Sequence, residues 1–350
     1  MTTALSPEAL AGWTAPAGPV ALHLRRLLEP VEGPGMPIFP ATYAKIGYNI
    51  DTLADGTRIA SIDSVGSQAN RMEPLFKTPP YDALVPQINV TYGNDKTLSI
   101  LEAGHRLGDA VIRSTALAEA AHDAFMALLD RGDATAIARL APTSLVFGAW
   151  DSRDTQAKLP RIVQSVIRAW DVQPLTRSAQ FNPALDYKAL GVFTEAEEEG
   201  KAAKGLAEGG YLHVPSTGQH GGVIARGEIR RDVTVNLVAL RRLRGEPTEA
   251  LQRYVLGLAL VAATAEQDGF LRAGCQLVPS APATTQVVHR DGRRSDVEIE
   301  AAAILSFARG AAAAFGVGPS RTVAFDKTRA RDDAGKAARK AETKKAEARK

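Results

Sequence analysis

One stretch of the chain, Asp63-Ser64-Val65-Gly66-Ser67-Gln68-Ala69-Asn70-Arg71-Met72-Glu73, sets hydrogen-bonding side chains at helical spacing. On a helix Val65, Ala69 and Met72 form an apolar stripe, and Ser64, Gln68 and Arg71 form a polar one beside it. A buried stripe next to a polar one suits contact with a polymer backbone, with Asn70 adding a further donor and acceptor. Ser64 or Ser67, near the N-terminus, leaves free N–H groups that could meet a phosphate. The same pattern also describes an ordinary amphipathic helix with a capping serine.

Three further groups carry comparable chemistry. His105 and Arg106 could stack on bases or bind phosphate; alternatively His105 and Asp109 stand one helical turn apart and could pair. Arg153, Lys158, Arg161, Arg168 and Arg177 place five basic groups in 25 residues, next to Trp150 and Trp170. Basic groups among aromatics are the usual ingredients for single-stranded nucleic acid, although a solvated basic face with both tryptophans in the core reads the same way. Arg226, Arg230, Arg231, Arg241, Arg242 and Arg244 flank an expected strand at 233–240. The approach to it, Gln219-His220-Gly221-Gly222, would let a backbone come close to a ligand and would equally serve as a flexible loop.

Catalytic patterns are missing by contrast. There is no phosphate-binding Walker loop, no dinucleotide glycine fingerprint after a strand, and no histidine pair at metal-helix spacing. Asp63, Asp109 and Asp151 could gather round a magnesium ion, but nothing in their spacing demands it. The single cysteine, Cys275, excludes a disulfide framework and multi-cysteine zinc sites, and reads as a small buried residue. No catalytic residue, metal or cofactor is expected.

The elements that must position these groups follow from local signals. Ser6-Pro7-Glu8 reads as a helix start, a Gly/Pro-rich loop covers 32–40, and Asp55-Gly56 turns into a strand at 58–62. Ser64 opens a short helix limited by Pro74. A strand is expected at 84–90, a helix at 115–130, a buried strand at 144–150, and helices at 248–266 and 298–315. Residues 160–172 fit a helical face and a strand equally well. Residues 194–222, acidic and then glycine-rich, read as a long mobile loop. Asp291-Gly292 signals a hairpin between 286–289 and 296–299. Strands and helices mix without a βαβ rhythm, so the fold class is α+β.

The 350 residues, 45% hydrophobic and 23% charged, suffice for one large globular body over 1–326. Residues 327–350 carry a net charge of +6 and the remainder −3, so the overall +3 comes from a basic tail of low complexity that reads as disordered or as a fraying solvated helix. Nucleic-acid binding must therefore rest on local clusters rather than on global charge. Residues 1–20 lack a basic patch followed by an apolar run, and 254–265 is too short to span a bilayer, so a cytoplasmic protein without membrane contact is expected.

Taken in order, the segments resemble one family. Phe39-Pro40-Ala41-Thr42-Tyr43, the 63–73 stretch, Leu101-Glu102-Ala103-Gly104-His105-Arg106, the run 140–153, Lys158-Leu159-Pro160-Arg161 and 175–181 follow the pattern of the GSU-type CRISPR-associated family, the "Cas seven" backbone proteins of type I-G (formerly I-U) Cascade, within the RAMP superfamily. The resemblance spans about residues 36–320. Gly66 stands where the family usually has glutamine and Ala41 where proline is common, and neither change replaces a charged contact. The resemblance implies an RRM-like (ferredoxin-like) palm with thumb and finger insertions. It implies a non-catalytic subunit that binds CRISPR RNA, stacks head-to-tail with other copies of itself as a filament, and meets target DNA through the guide. The other implied partners are the Cascade large subunit and a fused guide-processing subunit, with a helicase-nuclease recruited separately. Related type III backbone proteins cut RNA with an aspartate, so a metal-dependent endoribonuclease is the alternative, and a monomeric RRM-like RNA-binding protein a third reading.

Overall fold

The computed structural model describes residues 3–335. Its largest layer is a curled sheet built from alternating sequences. In Val163–Trp170 the side chains of Val163, Ser165, Ile167 and Ala169 are buried while Gln164 and Arg168 are exposed, the period-2 pattern of a half-buried strand. That settles the 160–172 ambiguity in favour of a strand, because both edges of the segment find partners: Ile229–Asn236 on one side and Arg58–Asp63 on the other.

The sheet order runs Ile50–Thr52, Arg58–Asp63, Val163–Trp170, Ile229–Asn236, Ala21–Pro30, Thr284–Val288, Arg294–Glu298 and Thr3–Ala4. These pairings are antiparallel except the last, which is parallel. Cys275–Pro279 also pairs with the far end of Ala21–Pro30. Numbering Ala21–Pro30, Val163–Trp170, Ile229–Asn236 and Thr284–Val288 first to fourth, the spatial order is fourth, first, third, second. Helices occupy the first-to-second connection, from Val65–Met72 to Thr143–Phe147, and Thr248–Thr264 lies between third and fourth.

Thr248–Thr264 is apolar nearly all round and buried along most of its length, so it forms the centre of the main core. It packs closely on Ala301–Phe315: a Cβ at Gly257 would come within 2.8 Å of the Ala308 Cα, so glycine sets that approach. Tyr254 stacks on Phe315 with ring centroids 5.0 Å apart, and its hydroxyl donates to the Leu84 carbonyl at 2.7 Å. A smaller cluster including Ile62, Ile167, Val223, Ile229 and Cys275 lies toward the other end of the sheet.

Several elements differ from their sequence reading. The expected strand at 144–150 is the buried helix Thr143–Phe147, begun after Pro142 and ended at Gly148 (φ +78), with only Ala149–Trp150 in a strand. The strand expected at 84–90 is Ile88–Tyr92, after a 3-10 turn at Asp82–Leu84. The strand from 233 stops at Asn236, whose side chain accepts from the Ala239 N–H and caps the helix Leu237–Arg241. The supposed mobile loop at 194–222 is structured. Val172–Phe181 and Val214–Ala225 form a long antiparallel arm, and its tip carries the helix Gly200–Glu208. Two register shifts in the arm accommodate the irregular glycine-rich strand. At the start of the tail, 327–335 takes the helical one of the two alternatives, and Asp333 pairs with Arg113 at 3.1 Å; the rest of the tail lies outside the described residues.

Candidate nucleic-acid interface

The Arg58–Asp63 strand runs straight into the helix Val65–Met72, capped by Ser64, whose Oγ accepts from the Ser67 N–H at 3.2 Å. Asp63 sits at this junction with its carboxylate fully buried. Four side chains donate to it: Ser67 Oγ at 2.8 Å, Gln68 Nε2 at 2.7 Å, Arg71 Nε at 3.0 Å and Arg272 Nη2 at 2.9 Å. Gln68 is 1% exposed, and its Oε1 accepts from Ser165 and Arg231. Arg71 also reaches the Leu271 carbonyl at 2.6 Å. The polar stripe read as a polymer-facing surface is thus turned inward, where it ties strand, helix and the Phe270–Arg272 strand together. A buried carboxylate requires such partners.

Arg106 is likewise internal, at 3% exposure. Its Nε stands 2.7 Å from Glu73 Oε2, Nη1 donates to the Gly148 carbonyl at 3.1 Å, Nη2 to Asn70 Oδ1 at 3.4 Å, and the guanidinium lies 5.3 Å from the Phe147 ring centre. Burial pushes the Glu73 carboxyl up to about 7, against the pull of Arg106 and the Thr143 hydroxyl. Neighbouring His105 is exposed, its backbone N–H held by Asp109. The alternative side-chain pairing of His105 with Asp109 is therefore replaced by a backbone contact.

The groups left facing outward lie on the segment after Gly148. Arg161 is half-buried, donates from Nε to the Phe147 carbonyl at 3.1 Å, and pairs with no carboxylate. Burial, with a smaller contribution from Arg106, pulls its pKa below the ordinary arginine value. Gly148 makes room for it, since a Cβ there would meet Arg161 Cγ at 2.8 Å. A Cβ built on Gly66 would stand 3.9 Å from both Arg161 Nη2 and Ser64 Oγ, so the first turn of the Val65–Met72 helix and this unpaired guanidinium converge. Trp150, 51% exposed, carries Lys158 Nζ 4.7 Å above its ring. Arg153 is exposed and unpaired. A free guanidinium beside a helix N-terminus, an open indole and two more cations can hold a phosphate and stack a base.

The remaining candidates are dispersed. Arg168 is exposed on the opposite sheet face, across from Arg230, which covers Trp170 at 3.6 Å and pairs with Asp232. Arg177, His220 and Arg226 belong to the arm. Arg177 lies over Phe39 at 5.6 Å, His220 against Tyr48 at 4.7 Å, and Arg226 donates to Gln173 at 2.7 Å. The fourth arginine group splits. Arg231 is buried, while Arg241, Arg242 and Arg244 line a separate cleft with Arg253 and Arg290. Sequence reasoning missed Glu73 and Arg272 as partners and left Trp150 undecided between core and surface. No local signal connects Arg272 to Asp63, 209 residues away.

Among the described residues no group of three His, Cys, Asp or Glu side chains could hold a metal ion. Asp63 is engaged as above, Asp109 caps the Ala110–Arg113 helix, and Asp151 is buried and accepts from Thr155. Cys275 is buried, which pushes its thiol up to about 11. No helix of the described residues is long and apolar enough to cross a membrane.

No curated protein matches the chain in sequence. Among solved structures, a chain described as "CRISPR RNA-guided surveillance complex, pre-nicking" is similar at 11% identity, covering 77% of this chain and 78% of that one, with a TM-score of 0.33, too low to establish a shared fold. Residues 22–174 match the model of the family described as CRISPR-associated protein GSU0053. That stretch contains Asp63, the Glu73–Arg106 pair, Trp150 and Arg161, so the similarity to the CRISPR-associated GSU0053 family covers the candidate interface.

Proposed function

We propose that this chain is a non-catalytic backbone subunit of a type I-G Cascade surveillance complex, binding CRISPR RNA and stacking in several copies along the guide. The observation that carries the reading is Arg161, which pairs with no carboxylate and stands beside the first turn of the Val65–Met72 helix, on a segment that also carries the exposed Trp150 under Lys158 and the exposed Arg153. The family adds the CRISPR context. The strand order fourth, first, third, second, with helices in two connections, is that of an RRM-like palm, and the arm between second and third strands has the place of a thumb-like insertion. In this reading the protein grips phosphate and base faces, and sequence is read by the guide's own pairing.

The test is a pair of arginine variants. Arg161→Ala should weaken binding of single-stranded RNA and lower the salt slope by roughly 0.7, the share of one phosphate contact. Its cost in stability should stay near about 1 kcal/mol, for one hydrogen bond to a carbonyl. Arg71→Ala, whose side chain serves Asp63, should act mainly on stability. Unchanged affinity and salt slope in Arg161→Ala would remove this contact from the interface.

A further inference from the structure

Arg26 and Arg231 stand directly opposite each other on adjacent antiparallel strands, a like-charge pair of the kind that normally destabilises a sheet. Arg231 is 8% exposed, and its donors meet only neutral acceptors: Ser165 Oγ at 2.9 Å, Gln68 Oε1 at 3.1 Å and Met72 Sδ at 3.4 Å. The half-buried Arg26 side chain makes no hydrogen bond or ion pair. Burial, reinforced by Arg26, pulls Arg231 down to about 10. Arg106, the other arginine that is almost fully buried, has Glu73, and Arg71 and Arg272 share the buried Asp63. A buried cation is ordinarily paired, so the missing partner here is a chemical requirement left open.

The two guanidiniums face a cavity of about 470 Å³ between the sheet, the end of the Thr248–Thr264 helix and the 284–298 hairpin. Glu298, which also lines it, pairs with neither arginine. The same two side chains line a smaller cavity of about 50 Å³ together with Gln267, whose buried amide nitrogen has no acceptor. Arg26, Arg231 and the Gln267 amide nitrogen are all donors, and the two acids along these cavities, Glu298 and Asp268, form no ion pair with them.

We propose that this cavity is a binding site for a phosphate group, with Arg26 and Arg231 clamping its oxygens. Two planar guanidinium forks match pairs of phosphate oxygens, and the larger cavity has the size of a small-ligand site, room enough for a mononucleotide. The site is distinct from the surface around Arg161.

Isothermal titration of the full chain, in chloride buffer at fixed ionic strength, tests this with inorganic phosphate and with adenosine 5′-monophosphate. Binding of either supports the site. Tighter binding of the nucleotide identifies a nucleoside phosphate as the ligand class, and equal or tighter phosphate binding identifies a free oxyanion. Arg26→Gln should weaken the dissociation constant by about tenfold or more, as expected for a lost charged hydrogen bond. Arg26 is the residue to change, because Arg231 also holds Gln68 and Ser165. Arg26→Glu supplies the missing anion internally, so it should raise the melting temperature in phosphate-free buffer and abolish binding. No binding of either ligand, or unchanged binding in Arg26→Gln, would overturn the proposal.

Discussion

Arg106→Ala should destabilise the protein by about 3–5 kcal/mol, the usual loss when one partner of a buried ion pair is removed. The side chain is 3% exposed and joins its own segment to two others: the Val65–Met72 helix, through Asn70 and the C-capping Glu73, and the Gly148 carbonyl. The loss should depend on pH in a defined direction. Glu73 has a folded-state pKa of about 7 against an ordinary 4.5, raised by burial. The folded state therefore binds this proton more tightly than the unfolded state, and its contribution to stability falls as pH rises from 4.5 to 7, then stays level. Without Arg106 the carboxyl rises further and the slope extends to higher pH. Urea melts should show a smaller deficit for Arg106→Ala at pH 5 than at pH 8, and Glu73→Gln should flatten the wild-type slope. An Arg106→Ala variant as stable as wild type would mean that the pair does not hold these segments.

Asp63→Ala should cost a similar amount, about 3–5 kcal/mol, because it leaves Arg71 and Arg272 without their shared acid and strands the Gln68 amide in the interior. Removing a single donor should cost less. Arg71→Ala or Arg272→Ala deletes one charge-assisted bond to Asp63, about 1.5–3 kcal/mol, together with that arginine's bonds to backbone carbonyls, while the carboxylate keeps its other partners. The single losses should not sum to that of Asp63→Ala, since all act on one network. Chemical denaturation of the three variants checks this, and an Asp63→Ala protein with an unchanged midpoint would contradict the role of the carboxylate.

What was legible in the sequence was local. The Ser64 cap, the Asp291-Gly292 hairpin and the helix at 118–131, ended by Gly132 at φ +68, depend on residues a few positions apart, and these elements stand where the pattern puts them. What was not legible depends on distant partners. Gln68 and Arg71 have the composition of an RNA contact, but Asp63, Arg272 and Arg231 turn them inward, and two of those come from more than 150 residues away. The glycine-rich 214–225 segment lacks strand propensity, yet it becomes a strand because Val172–Phe181 offers it a complementary edge. In the 153–161 run Lys158 lies over Trp150 and Arg161 beside the first turn of the Val65–Met72 helix, whereas the 226–244 arginines scatter to the arm, the interior and a separate cleft. Composition counts charges but does not say which way a strand's pleat sends them.

The most direct measurement of the central claim is light scattering after size exclusion, with single-stranded RNA of increasing length. Protein bound through the Arg161–Trp150 surface and stacking head-to-tail should add mass in protein-sized steps as the RNA lengthens, since each bound copy places the next at high effective concentration. Protein without RNA should assemble poorly. One protein per RNA at every length would contradict the backbone reading and leave a monomeric RNA-binding protein in its place.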